Sequence, residues 1–406
     1  MKVGIGHNNE EDAFASGVKI AQQALRDGAI TNATFSLAFC HGNVNAKELL
    51  QGIRSVLGTK TPVLGGSAIG FITNHSISYE GYPAGIVVIE DEDMQIQVAA
   101  TGGLDHGEKT VGRDLVRQLS VEKDDTLLLF YDSIQQPPAD NSPPVLNSST
   151  PLLKGIENEL PFNIPIIGAG TVADFNFSPS IQFIGDDVNS QHAAALLIRG
   201  NFSVDVQIMH GCSPKDGIYH TITKIEGSII YEIDNLPAVE VINDIYGDEE
   251  WQKQLPVKRL TIGVNHGEKF WDHFAEQNYV NRLITGVLPD KSGIVIFEAD
   301  FDKGTEFQFM LRDPIKMLES AKSNTESLMQ DIKKSGKTPQ WAFYIDCAGR
   351  SALFSEILME EAAEVQEVLN RNNIPLFGFY SGVEIAPFNN KNRGLDWTGV
   401  LAVFSI

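Results

Sequence analysis

The chain has 406 residues, 42% of them apolar and 21% charged, which is too long for one compact core and too apolar for disorder. Two domains, or one large α/β assembly with internal repeats, is the expectation. Thirty-one basic against fifty-three acidic side chains give a formal charge of -22, which disfavours nucleic acid and anionic membrane surfaces as partners.

Met1 to Glu11 turn acidic where the apolar core of a signal peptide would begin, and no apolar run approaches the ~18 residues of a membrane span. A cytoplasmic protein is expected. Strand, helix and strand then follow as a first unit: Phe35-Ser36-Leu37-Ala38-Phe39-Cys40-His41, helical spacing through Leu49, Leu50 and Ile53, and Pro62-Val63-Leu64-Gly65-Gly66-Ser67. It closes on the β-branched run 84–89. A second unit repeats the order with the run 126–131 before Asp132-Ser133, a helix near 152–160, Pro165-Ile166-Ile167-Gly168, and the run 193–198. Its long loop 135–151, rich in Pro, Asn and Ser, reads as an insertion.

Residues 205–210 and 227–233 read as hairpin strands around the turn Gly211-Cys212-Ser213-Pro214, and Leu236-Pro237-Ala238 leads into a short helix. A domain boundary is set near Leu255. The second half has α+β character, with strands at 259–264, 293–298 and 306–311 and a helix at 314–334. A third unit then ends the chain: 341–345 before Asp346-Cys347-Ala348-Gly349-Arg350, a long helix over 351–370, Pro375-Leu376-Phe377-Gly378-Phe379-Tyr380-Ser381-Gly382-Val383-Glu384, and a strand from Trp397 to Phe404.

Each unit thus puts a different chemical group past a strand end, where α/β folds gather ligand groups. Candidate ligand-binding residues are Gly65, Gly66, Ser67, Gly349, Arg350, Ser381, Gly382 and Glu384. Arg350, at a helix start, suits a carboxylate, and Glu384 either orients it or takes a ligand amine. Cys40, Cys212 and Cys347 are candidate soft-metal ligands that would suit an iron-sulfur cluster if they converge, with His41 and His210 as candidate axial haem ligands. The alternative for each cysteine is a small buried hydrophobe. Dinucleotide, phosphate-loop and nucleophile-elbow signatures all fail.

These motifs resemble the FIST sensory proteins, whose FIST N-terminal domain precedes a FIST C-terminal domain. The resemblance is nearly full-length and rests most on Cys347-Ala348-Gly349-Arg350 and on Gly378-Phe379-Tyr380-Ser381-Gly382-Val383-Glu384. The usual family turn has Gly-Glu after its aromatic pair, whereas here Val383 intervenes. The resemblance implies a FIST N-terminal domain over 1–255, a FIST C-terminal domain over 256–406, and a sensor of a small molecule or gas that docks on a separate histidine kinase, diguanylate cyclase or phosphodiesterase. Some family members are haem proteins that sense nitric oxide, which makes haem a candidate cofactor beside an iron-sulfur cluster; amino-acid-like ligands are the metal-free expectation. The whole reads as a two-domain α/β sensor with mixed sheets, not an enzyme, and a candidate homo-oligomer. The competing reading is a small-substrate enzyme using Cys347, Arg350 and Glu384.

Overall fold

A computed structural model describes residues 1–139, 142–269 and 274–406. Unit one runs β1 (Lys2–Asn9), α1 (Ala13–Asp27), β2 (Phe35–Cys40), α2 (Ala46–Leu57), β3 (Val63–Ser67), the hairpin β4 (Phe71–Thr73) and β5 (Ile77–Ser78), and β6 (Pro83–Glu90). Side chains of Asp12 and Asn45 accept from backbone N–H groups in the first turns of α1 and α2, so both helices start where a cap residue permits. Strand β2 pairs parallel with β3 and antiparallel with β6, which also pairs with β1.

Unit two repeats this plan: β7 (Gln95–Gly102), α3 (Glu108–Val116), β8 (Thr126–Asp132), a small ribbon β9 (Ile134–Gln136) and β10 (Val145–Leu146), α4 (Ser149–Glu157), β11 (Ile166–Thr171), the hairpin β12 (Gln182–Ile184) and β13 (Asp187–Asn189), and β14 (His192–Arg199). The long loop therefore carries structure of its own, although its residues 140–141 lie outside the described residues.

Unit three opens with β15 (Ser203–Met209) and is then interrupted by a β-rich insertion. The insertion contains β16 (Cys212–Pro214), β17 (His220–Glu226), β18 (Ile229–Ile233), β19 (Leu236–Pro237), α5 (Ala238–Tyr246), β20 (Leu260–Asn265), β21 (Tyr279–Arg282), β22 (Ile284–Val287), β23 (Ile294–Ile296) and β24 (Glu306–Arg312), its strands joined in one sheet. The unit resumes with α6 (Pro314–Lys334), β25 (Pro339–Cys347), α7 (Ala352–Ser355), α8 (Glu361–Arg371), β26 (Leu376–Ser381), the hairpin β27 (Val383–Phe388) and β28 (Lys391–Leu395), and β29 (Gly399–Ser405).

The three sheets have one strand order, β1-β6-β2-β3, β7-β14-β8-β11 and β15-β29-β25-β26, and each is completed by a hairpin from another unit. Hairpin β12–β13 extends the first sheet at β3, β27–β28 extends the second at β11, and β4–β5 extends the third at β26. This exchange is cyclic, so the molecule has an internal pseudo-threefold arrangement. One face of every sheet turns into a shared core in which Phe39, Phe130, Phe343 and Phe379 meet, with Phe39 and Phe379 stacked at 3.7 Å. The opposite faces pack beneath helices in three further clusters. Double coverage explains why these strands are continuous apolar runs rather than alternating ones.

The mixed α/β architecture and the three repeats agree with expectation, and two local readings do not. Residues 205–210 form no hairpin with 227–233: β15 pairs with β29, and β18 sits in the insertion between β17 and β23. The helix expected over 351–370 is broken between α7 and α8, where Glu356 takes a left-handed φ of 57°. No helix among the described residues is long and apolar enough to cross a membrane.

Candidate functional site

The ends of β25 and β26 face the loop after β11, Ile69 of unit one, and Leu283 and Phe297 of the insertion. Between them lies a cavity of about 40 Å³ lined by Cys347, Gly349, Ser381, Gly382, Phe175, Phe354 and Trp397, among others. Larger open grooves of about 470 to 490 Å³ occur elsewhere. The small cavity is the one that brings predicted site residues together and joins all three units with the insertion.

Its wall is tightly built. Phe354 stacks on Phe175 at 5.8 Å and tilts against Trp397 at 5.9 Å. A Cβ on Gly349 would stand 1.9 Å from Cζ3 of Trp397, so only glycine lets the indole cross this strand end. Trp397 has a φ of 55°, a left-handed conformation that for a bulky aromatic residue signals strain. Its indole N–H is buried without an acceptor among the described residues. The sequence pattern puts the start of the last strand at Trp397; the positive φ instead ends the preceding turn and leaves β29 to begin at Gly399.

Arg350 is predicted to meet a ligand, and it is buried at 0% exposure with its donors directed at protein groups. Its Nε lies 2.9 Å from Oδ1 of Asp346, its Nη2 lies 2.9 Å from Oε1 of Glu361, and its Nη1 donates to the carbonyls of His210 and Trp397 at 2.9 and 3.2 Å. It thereby ties the cavity wall to the start of the insertion. Glu384 does not touch Arg350 in these pairings; its Oε1 is 2.7 Å from Oγ of Ser381. Burial pushes Glu384 well above the usual carboxylate range, outweighing the hydrogen bond from Ser381 that lowers it. Oγ of Ser381 donates to Oε1 of Glu384 and also lies 3.1 Å from the Asp346 carbonyl, which gives its hydroxyl two acceptors inside the wall. The Glu384 carboxyl is thus an internal anchor.

Gly65, Gly66 and Ser67 lie inside β3, away from the cavity. A Cβ on Gly65 would meet the Ala38 carbonyl at 1.9 Å and one on Gly66 the Ile181 carbonyl at 2.1 Å, while Oγ of Ser67 accepts from Ile181 N–H at 3.0 Å. The exchanged hairpin of unit two covers all three.

The proposed metal donors are dispersed. Cys40 belongs to the cluster under α1 and α2, Cys212 packs with Tyr279 and Met310, and Cys347 belongs to the cluster of unit two. Burial pushes the Cys40 and Cys212 thiols up to about 12 and Cys347 well above its ordinary value, so all three are held as thiols. Nδ1 of His41 accepts from Asn43 N–H; Nδ1 of His210 accepts from Cys212 N–H, with its Nε2 3.0 Å from the Glu276 carbonyl. Among the described residues no group of three His, Cys, Asp or Glu is placed to hold a metal ion. A haem or a cluster held by the named residues does not fit: the cavity has the volume of about one water molecule, its lining contains no histidine, and the thiols do not converge.

Strand-end loops of three mixed sheets closing on a small apolar cavity define the molecule as a mixed α/β protein. Residues 34–236 match the FIST N domain and residues 238–387 the FIST C domain, so the chain belongs to the FIST family of sensory domain proteins. It is 24% identical over 264 residues to an uncharacterised protein of Methanocaldococcus jannaschii, covering 62% of this chain and 46% of that protein, so it spans about half the length of the curated relative it matches. Among solved structures, a cyanuric acid hydrolase described as an innovation by structural concatenation aligns over 100% of this chain and 99% of its own, at 9% identity and a TM-score of 0.38. Phosphoribosylformylglycinamidine synthase II of Thermotoga maritima aligns over 99% of this chain and 71% of its own, at 10% identity and a TM-score of 0.22.

Proposed function

We propose that this FIST protein senses a small, largely apolar or aromatic molecule at the strand-end cavity and reports to a separate signalling protein, a histidine kinase or a cyclic-dinucleotide enzyme. The observation that carries the reading is the strained Trp397, boxed between Gly349 and Phe354 where all three units and the insertion meet. Strain of ~1–3 kcal/mol at such a residue is kept where surrounding contacts impose it, and it clusters at ligand clamps and switches. As it stands the cavity has room for a diatomic gas; a larger ligand enters when Phe354 swings out. Phe354 belongs to α7, and its neighbour Leu353 is 52% exposed while Leu358 and Met359 beyond the helix are exposed too. Displacing Phe354 therefore alters an apolar outer surface that a partner would read.

The test is a thermal-shift screen of small aromatic and aliphatic compounds and amino acids, repeated on Phe354→Ala. A true ligand raises the melting temperature saturably in the parent, and the truncated side chain changes its apparent affinity at least tenfold. If every compound that binds does so equally well in both proteins, the cavity is not the sensing site. An absorption spectrum of protein prepared without oxygen bears on the cofactor: a Soret band, or a broad band near the low 400s of nanometres with bound iron and sulfide, would overturn the metal-free reading.

A further inference from the structure

Three arginines are buried among the described residues, Arg282, Arg312 and Arg350. Two of them each face two carboxyl groups: Arg282 faces Asp300 and Asp396, and Arg350 faces Asp346 and Glu361. Arg312, 8% exposed at the end of β24, has no carboxylate in ion-pair reach among the described residues. Its Nη2 donates to the Gly349 carbonyl at 2.7 Å and lies 3.4 Å from Oγ of Ser355, its Nη1 donates to the Lys258 carbonyl, and its Nε is buried with no acceptor among the described residues. The guanidinium plane is fixed over the Trp397 ring, 3.5 Å from its centroid. An uncompensated buried charge is costly, and proteins ordinarily pair it.

Arg312 also lines an open groove of about 470 Å³ between residues 258–259, the start of α6, and α7. The other charges there are largely engaged. Lys258 pairs with Glu356 at 2.6 Å, and Oδ1 of Asp313 caps α6 by accepting from Ile315 and Lys316 N–H. Arg259 is exposed and forms no ion pair among the described residues, although its charge acts on Glu356, which Lys258 holds. On a chain of net charge -22, this is a local positive site whose two arginines have no carboxylate in ion-pair reach among the described residues.

We propose that this groove binds an oxyanion, the carboxylate or phosphate of a small metabolite, with Arg312 as its buried counter-charge and Arg259 at its rim. Nη1 of Arg312 keeps one N–H beyond its bond to the Lys258 carbonyl, and the exposed Arg259 adds a planar fork at the rim, which together suit either group. The groove lies across the Gly349–Trp397 wall from the strand-end cavity, and this inference stands without the cavity reading.

The experiment measures melting temperature in sodium phosphate and in sodium acetate against sodium chloride at matched ionic strength. A saturable rise beyond chloride is expected for at least one anion: a response to phosphate alone assigns a phosphate-bearing ligand, and one to acetate alone a carboxylate. Arg312→Met should abolish the rise and Arg259→Ala should weaken the apparent affinity severalfold. If Arg312→Met does not fold, Arg312→Lys, which keeps the charge but loses the planar edge, should bind at least tenfold more weakly. Equal behaviour of both anions and chloride, a rise that persists in Arg312→Met, or parent-like binding by both Arg312→Lys and Arg259→Ala overturns the proposal.

Discussion

Buried ionisable residues carry most of the pH sensitivity of this protein. Asp396 is 1% exposed, accepts from Leu283 N–H at 2.8 Å, and has its carboxyl pushed up to about 7 by burial, against the opposing pull of Arg282. Its folded value lies above the ~3.9 of an unfolded aspartate, so the folded state holds a proton that the unfolded state has released between about pH 4 and 7. Stability from this group therefore falls as pH rises through that window and levels off above it. Urea midpoints of Asp396→Asn and the parent should be close at pH 4, with the variant more stable by pH 8; a difference that does not change with pH would refute this account. The three cysteines make a separate test. Iodoacetamide at pH 8 should leave Cys40, Cys212 and Cys347 unmodified in the native protein and alkylate all three in denaturant, because burial holds them as thiols. Of the residues singled out by sequence, Cys347, Gly349, Ser381 and Gly382 do line one cavity. Arg350 and Glu384 lie beside it but face inward, because the carboxylates of Asp346 and Glu361 claim the guanidinium and that pairing is set by tertiary neighbours.

Helix pairing in units one and two depends on glycine. A Cβ on Gly52 would meet the Phe14 carbonyl at 2.2 Å, and one on Gly17 the Leu49 carbonyl at 2.2 Å; Gly112 and Gly155 make the same crossing between α3 and α4. The helices touch backbone to backbone at these points. Gly52→Ala, which intrinsic propensity alone would favour by ~1 kcal/mol, should instead lower the unfolding free energy by ~1–3 kcal/mol through overpacking. A rise in the urea midpoint would show that the crossing yields freely. Apolar periodicity made most elements of the three units readable, since strands covered on both faces are runs and helices covered on one face repeat at 3.6. The opening strand of unit two is not legible because β7 is an edge strand of partly exposed, mixed sequence; β15 is legible as a strand, but its partner β29 lies about 200 residues away and leaves no mark on the local sequence. The break after α7 escaped it because helical spacing continues on either side of Glu356.

At the scale of the molecule, hairpin exchange makes the units interdependent. The sheet of unit two takes β27–β28 from the C-terminal region, and the sheet of unit three takes β4–β5 from the N-terminal region. Chains 1–255 and 256–406 expressed separately should each aggregate, since each would expose sheet edges meant for the other, whereas co-expression should recover soluble complex. Independent soluble folding of both pieces, seen as two sharp unfolding transitions, would show that the exchange is dispensable. The order and number of repeats, the strand-end chemistry and the family resemblance were all determined by the sequence alone, because each depends on local spacing that repeats along the chain. Only the tertiary structure decided that the hairpins trade places, that the thiols never meet, and that Arg312 stands unneutralised beside Trp397. Those outcomes depend on which distant groups share a buried space, and charge pairing across such distances leaves no periodic trace in a single sequence.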